Sequence, residues 1–400
     1  MVGMWSFWSS KNPLPRVGAI VDVGDRRIEV ALVSSVADHL GPSVVWTHVE
    51  LLSLGDATKA EATIKKAVNN AFASLAKDGV KVLKQLGLPR EISLIQASLH
   101  APYAITVSRN VSMRAAKPFK ITRSLVSELE SKAKADAYEM QSSALVRSGL
   151  KLYPLSSAVI ALRLNGYETQ YPFKSEAAEV SLSQHVILST LDFLEMLRGA
   201  RDRYLPGTEL DADSFISLFY RTISALAPKV ADCSIVTIGD GVTEFMTVRE
   251  GLPQDTHFMP IGLDHVAQEI SKVVGLLPHE ARNVTKNGAE EIFAFGGDAK
   301  KRAVKDALIK FETELTSLFR KTGDSLALPK PIFLQTEYDH EVFFASMVER
   351  VARVVTGTQH TVHPVTSEFF AHGDIKDASL LSLAYSFHKK LYVDRYLDLK

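Results

Sequence analysis

The sequence predicts a duplicated α/β fold carrying a smaller inserted α+β module, and three features of the chain predict it. The order strand, glycine-rich turn, strand, strand, helix occurs twice, once around Asp22 and again around Gly239. The 400 residues are 46% hydrophobic, enough to bury substantial cores in about two to four domains. Between His100 and Leu194 the pattern changes to short strands around two helices.

The elements follow in order. Residues 17–24 are an apolar run closed by Gly24, and 27–33 alternate before turning wholly apolar, so Gly24-Asp25-Arg26 reads as a hairpin turn. A third strand is expected at 43–52. An amphipathic helix is expected at 57–77, with Ile64, Val68, Ala71 and Phe72 on one face. After a buried strand at 92–98, the insert is expected to hold short strands at 103–107 and 156–164, a helix at 121–138, a strand at 180–188 and a helix at 191–203. The second half opens with a strand at 233–238 and the turn Gly239-Asp240-Gly241. Strands at 243–248 and 256–260 come next, then a helix with Val266, Ile270 and Val273 inward. Helices at 301–321, 342–355 and 377–391 and strands at 331–335 and 361–365 complete the chain. The division expected is a tail at 1–16, a first lobe at 17–99 continued by 195–230 and 366–400, the insert at 100–194, and a second lobe at 231–365.

Composition excludes several classes. Lys plus Arg equals Asp plus Glu at 46 each, so the chain lacks the basic surplus of a general nucleic-acid binder. Cys233 is the single cysteine, which rules out an internal disulfide and a cysteine zinc site, and suits a cytosolic chain. His360, His363 and His372 lack an acidic partner at ligand spacing, and on a strand His360 and His363 point to opposite faces. Neither a nucleophile-elbow motif nor a zinc-protease helix motif is present. No run approaches the roughly 18 apolar residues of a membrane span. Trp5, Phe7 and Trp8 near the N-terminus admit three readings, a weak interfacial membrane contact, a floppy tail, or a tail packed on its own domain. Lys117, Lys120 and Arg123 with Phe119 form a small basic–aromatic group expected to be a solvated face.

The two strand–turn segments, Ala19-Ile20-Val21-Asp22-Val23-Gly24 and Ile238-Gly239-Asp240-Gly241-Val242-Thr243-Glu244, resemble the phosphate loops of the actin/Hsp70/sugar-kinase fold. Within it the chain is similar to the bacterial FtsA and PilM group. The stretch Phe258-Met259-Pro260-Ile261-Gly262-Leu263-Asp264-His265-Val266 resembles the group's segment after the second loop. Leu164-Asn165-Gly166-Tyr167 with Pro172 resembles the small domain inserted in FtsA. The resemblance implies a duplicated, actin-like (ribonuclease H-like) two-lobe fold with an inserted SHS2-type module. It also implies a site for ATP with Mg²⁺ between the lobes, where Asp22, Gly24, Arg26, Gly239, Gly241, Thr243 and Glu244 are the candidate nucleotide-binding residues.

The same comparison shows departures at each element. Asp25 stands where the group has a hydroxyl residue, and a carboxylate 4 Å from a phosphate repels it by roughly 1–4 kcal/mol. Arg26 and Arg27 beside it are expected to be solvated turn charges. Thr237 replaces the acid before the second loop, and Asp240 replaces its middle glycine. Where three glycines would lie against adenosine, the chain has Gln335-Thr336-Glu337-Tyr338-Asp339, and Gly296-Gly297 reads as a turn before a long helix. The expectation is an actin-like scaffold that has lost hydrolysis, with no catalytic residue and no metal site, acting by binding. An ATPase that retains nucleotide is the alternative. The resemblance implies an adaptor on the cytoplasmic membrane face. Its partner would be the tubulin-like division protein FtsZ in the FtsA version, or the N-terminal tail of a pilus inner-membrane protein in the PilM version, with self-association open. The chain ends soon after its last expected helix, which favours PilM, whereas Asn165-Gly166-Tyr167 favours FtsA; the sequence reading leans to FtsA.

Overall fold

The computed structural model describes residues 15–37, 41–52, 60–145, 152–169, 171–189, 191–286, 297–321, 328–337, 340–370 and 377–392. Strands β1 (Arg16–Val23), β2 (Arg27–Ser35), β3 (Ser43–Leu51), β4 (Ile92–Leu99) and β9 (Glu209–Ser214) form one sheet in the order β3-β2-β1-β4-β9. Strands β10 (Cys233–Ile238), β11 (Thr243–Arg249), β12 (Leu252–Met259), β13 (Pro331–Thr336) and β14 (Thr361–Pro364) form another in the order β12-β11-β10-β13-β14. In each sheet the first three strands pair antiparallel and the remaining two join in parallel. The duplication read from the sequence is therefore a duplication of topology.

Helices complete the layers. Beyond one face of the first sheet lie α1 (Ala60–Ser74), its continuation through a π-helical turn (Leu75–Gly79) into α2 (Val80–Gln85), and α4 (Phe193–Tyr204). Against the outer face of the second sheet lie α6 (Leu263–Val274), α7 (Pro278–Lys286), α8 (Asp298–Arg320) and α9 (Glu341–Thr356). Between the two sheets lie α5 (Phe215–Leu226) and α10 (Ala378–Tyr392), in a core that joins Ile20 and Leu94 of one sheet to Ile235, Met246 and Phe333 of the other. The central strands are consequently buried on both faces, which explains why β1 and β10 read as continuous apolar runs. Gly18 lets α10 approach β1: a Cβ there would stand 1.9 Å from the Phe387 ring.

The insert is a third sheet, β5-β8-β6-β7, covered by α3 (Arg123–Leu145). Its strands are longer than the sequence suggests. β5 (Ala104–Lys120) continues past Val107 because its polar half still pairs with β8 (Glu176–Ser189), across an irregularity between Arg114 and Phe119. β6 (Tyr153–Leu164) turns into the short β7 (Tyr167–Glu168) through Asn165 at φ 51° and Gly166 at φ 85°, a left-handed pair suited to Asn-Gly. Among the elements that escape sequence reading, three stand out. β9 has the acidic sequence ELDADS and becomes a strand only by pairing with β4. α5 is apolar apart from Ser217, Arg221, Thr222 and Ser224, and most of it is buried between the sheets. α7 is a short helix without a strong apolar face.

Candidate functional site: the cleft between the sheets

The turns after β1 and β10 face each other, and the residues around them pair across the gap. Asp22, next to last in β1, is buried and accepts from His100 Nε2 at 3.1 and 3.2 Å; His100 follows β4 and stacks on Phe215, ring centroids 4.1 Å apart. Burial alone would raise the Asp22 carboxyl, but the His100 charge and hydrogen bond, with Arg27, hold it below its ordinary range. Burial alone would lower His100, yet the charge and hydrogen bond of Asp22 push it up to about 9. The imidazole is thus a buried cation.

Arg27 corrects the expectation of solvated turn charges. Its guanidinium is 7% exposed and donates to Glu337 at 2.8 Å, with Glu29 and Asp377 each at 3.4 Å. Burial pushes Glu29 up to about 8, with the Asp377 charge adding to it. Asp25 is half-buried and takes the Gly241 backbone N–H, and burial raises its carboxyl as well. Arg26, nearly half exposed, reaches Asp264 at 3.3 Å from Nε. In the second half, Arg282 of α7 grips Asp240 and also reaches Asp264 at 3.2 Å. Glu244 is buried, accepts the Ala101 backbone N–H, and is pushed up to about 7 by burial.

The remaining sequence-predicted residues do local work. Gly24 and Gly239 close their turns by donating to the Arg27 and Val242 carbonyls at 2.9 and 2.8 Å. Thr243 spends its hydroxyl on the Ile261 carbonyl at 2.8 Å. Gln335 bonds Ser379 at 2.7 Å and Ser382 at 3.2 Å, and Glu337 holds Arg27, so the polar side chains after β13 fill the gap. Tyr338, Asp339 and Gly296 lie outside the described residues, as do Trp5, Phe7, Trp8 and His372. The space left between His100, Phe215, Thr237, Gln335, Glu337 and Ser379 is about 10 Å³, room for one water. Among the described residues no group of three or more His, Cys, Asp or Glu is arranged to hold a metal; His360 is buried on the Pro329 carbonyl.

Sequence reading found the two turns and the filled stretch after β13. It missed His100, Arg282 and Asp377 as partners. A histidine directly after a buried strand was the available signal for His100; Arg282 had none, since α7 itself was not foreseen.

No family model and no curated protein matches the sequence. Solved structures do match the fold. The "PilM-PilN type IV pilus biogenesis complex" superimposes with TM-score 0.54 at 13% identity, covering 96% of this chain and 98% of that one. The ethanolamine utilization protein EutJ from Carboxydothermus hydrogenoformans gives TM-score 0.44 at 16% identity, over 94% of this chain and 92% of its own. A diol dehydratase-reactivating factor in nucleotide-free form gives 0.45 at 10%, over 94% and 100%. The fold is the two-lobe, actin-like fold. Among the described residues no helix is long and apolar enough to cross a membrane.

Proposed function

We propose that this protein is a non-enzymatic, actin-fold adaptor of the PilM kind, which holds the cytoplasmic tail of a pilus inner-membrane protein at the membrane's inner face. The observation that carries the non-enzymatic part is the self-paired cleft. A magnesium nucleotide does not fit these residues as they are arranged. The Gly241 amide that would meet a phosphate already holds Asp25, and the adenosine position is filled by Gln335 and Glu337. Eight carboxylates (Asp22, Asp25, Glu29, Asp240, Glu244, Asp264, Glu337, Asp377) face four cations (Arg26, Arg27, His100, Arg282). With Glu29 and Glu244 neutral, the balance still disfavours a polyphosphate.

Two features support the pilus reading over the division reading. The PilM–PilN structure matches nearly the whole chain. The Asn165-Gly166 pair, which pointed to FtsA, has a local explanation in the β6–β7 turn, where Asn165 Oδ1 also accepts the Ala178 and Glu179 N–H groups at 3.0 Å. Membrane contact by Trp5, Phe7 and Trp8 belongs to the same proposal.

Calorimetry with ATP and Mg²⁺, run beside ADP, tests the first part. No heat up to millimolar nucleotide is expected, and micromolar binding would overturn it. Titration with the N-terminal tail peptide of the pilus inner-membrane protein from the same organism tests the second. Saturable binding is expected there, and binding of FtsZ in its place would restore the division reading.

A further inference from the structure

The cleft occupies one end of the first sheet, where Gly24, His100 and Phe215 follow β1, β4 and β9. The opposite end gathers the starts of those three parallel strands, with Val17 beside Ile92 and Leu94 beside Glu209. Three helices finish at that end. α2 leads into β4 and α4 into β9 through the short connections 86–91 and 205–208. The last turns of α10 are tied there at Ser35, which stands opposite Arg16. His388 Nδ1 lies 2.6 Å from the Ser35 hydroxyl, and the Tyr392 hydroxyl donates to the Ser35 carbonyl at 2.9 Å.

This end carries an excess of positive charge. Arg16, Lys81, Lys84, Arg90, Arg203 and Lys389 are wholly or partly exposed, and none has an ion-pair partner among the described residues. Arg201 and Lys390 answer Asp202 and Asp211. The unpaired acids described there are Glu91 and Glu209, so six cations face two acids in a chain whose net charge is zero. Cations in a helix's last turn complement its dipole, which accounts for Lys84, Arg203 and Lys389. Arg16, Lys81 and Arg90 have no such local reason. Two further features choose among anionic partners. Leu86, 56% exposed, stands between Lys84 and Arg90 at the end of α2. Trp5, Phe7 and Trp8 precede β1, whose start is at this end; Trp8 is eight positions before Arg16, a reach of about 29 Å at full extension. An exposed leucine and indoles beside cations suit the boundary between lipid headgroups and acyl chains. A nucleic-acid backbone would engage the cations and leave the leucine in water.

We propose that this end of the first lobe is the face that lies on an anionic membrane, with its cations over the headgroups and Leu86 and the N-terminal indoles in the interface. The cleft then faces away from the bilayer. The inference rests on the membrane-face reading given above, and adds which surface meets lipid and what charge that lipid carries.

The test floats the full chain with vesicles of phosphatidylcholine alone, and with vesicles of one part phosphatidylglycerol to two parts phosphatidylcholine. Binding is expected on the anionic vesicles only. It should be lost between about 0.1 and about 1 M salt, as the screening length falls from about 10 to about 3 Å. A cation near an anionic surface contributes about fivefold in affinity, so Lys81→Gln, Lys84→Gln and Arg90→Gln together should weaken binding about a hundredfold. All three side chains are exposed, so the variant should keep its fold. Lys301→Gln with Lys305→Gln, exposed on α8 of the other lobe, should leave binding unchanged. Equal flotation of the triple variant would overturn the proposal while leaving contact through the tail aromatics standing. An equal loss in the α8 variant, equal binding to both vesicles at every salt concentration, or no flotation on either would also overturn it. A short DNA duplex bound by a chain that refuses vesicles would assign the charge to a nucleic acid instead. The tail-peptide titration uses no vesicles, so the adaptor reading stands or falls separately.

Discussion

In the first half-repeat the Gly24 amide closes a turn on the Arg27 carbonyl, and in the second the Gly239 amide closes one on the Val242 carbonyl, at 2.9 and 2.8 Å. The backbone is the same and the use is opposite. The first turn projects side chains outward: Asp25 to the facing Gly241, Arg26 to Asp264, Arg27 to Glu337. The second receives. Its Gly241 offers an amide with no side chain in the way, and Gly262 lets the following segment lie so close that a Cβ would stand 2.4–2.7 Å from the backbone of 239–242. The two turns meet as a plug and a socket. The difference teaches that a duplicated scaffold keeps its turn geometry while the side chains on each turn decide what that turn meets.

Removing the plug's deepest charge should have the largest effect. Arg27→Ala leaves Glu337 buried without the cation it holds at 2.8 Å, and a loss of about 3–5 kcal/mol is expected in denaturant unfolding. A loss under 1 kcal/mol would mean that the two sheets stay together without this pair.

Raising the pH should loosen the same joint next. His100 is held at about 9 against an ordinary 6.5, so its contribution is complete below 6.5 and lost as pH rises through 9. Glu244 at about 7 and Glu29 at about 8, against an ordinary 4.5, also keep protons that the unfolded chain has released. All three act in one direction, so stability should fall between pH 6 and 9, by at least about 3 kcal/mol, which is the share of the His100 shift alone. Asp22, held low, loses its contribution only in acid below its ordinary 3.8. A melting temperature that is flat or rising from pH 6 to 9 would contradict this assignment, and His100→Gln should remove the part of the slope above pH 8.

The socket should break by crowding instead of charge. Gly262→Ala forces the backbone of residues 239–242 to move, with an expected cost of about 1–3 kcal/mol. The variant should also shift the Gly239 and Gly241 amide resonances; unchanged resonances would show that the close approach is not needed. The smallest effect is expected at the rim. Arg26→Ala removes a pair whose cation is nearly half exposed, worth about 0–1 kcal/mol and weaker in salt.

Much of this architecture was legible in the chain because it is written in local chemistry. Apolar runs closed by glycine gave β1, β10 and their turns, and apolar spacing gave α1, α6, α8, α9 and α10. The order of those elements gave the duplication. The filled stretch after β13 was readable too, since Gln335 and Glu337 cannot vanish as glycines can. What tertiary structure decided is who pairs with whom. Arg27 and Glu337 are 310 residues apart, and no periodicity links them; their ion pair exists because α5 and α10 hold the two sheets face to face. β9 is a strand only because β4 lies beside it, and Asp25 becomes half-buried only because Gly241 arrives opposite. Local sequence sets which conformations a segment prefers through neighbouring atoms. The burial that raises Glu29 and the Asp22 carboxylate that holds His100 charged, 78 residues before it, act only once the folded chain brings those atoms together.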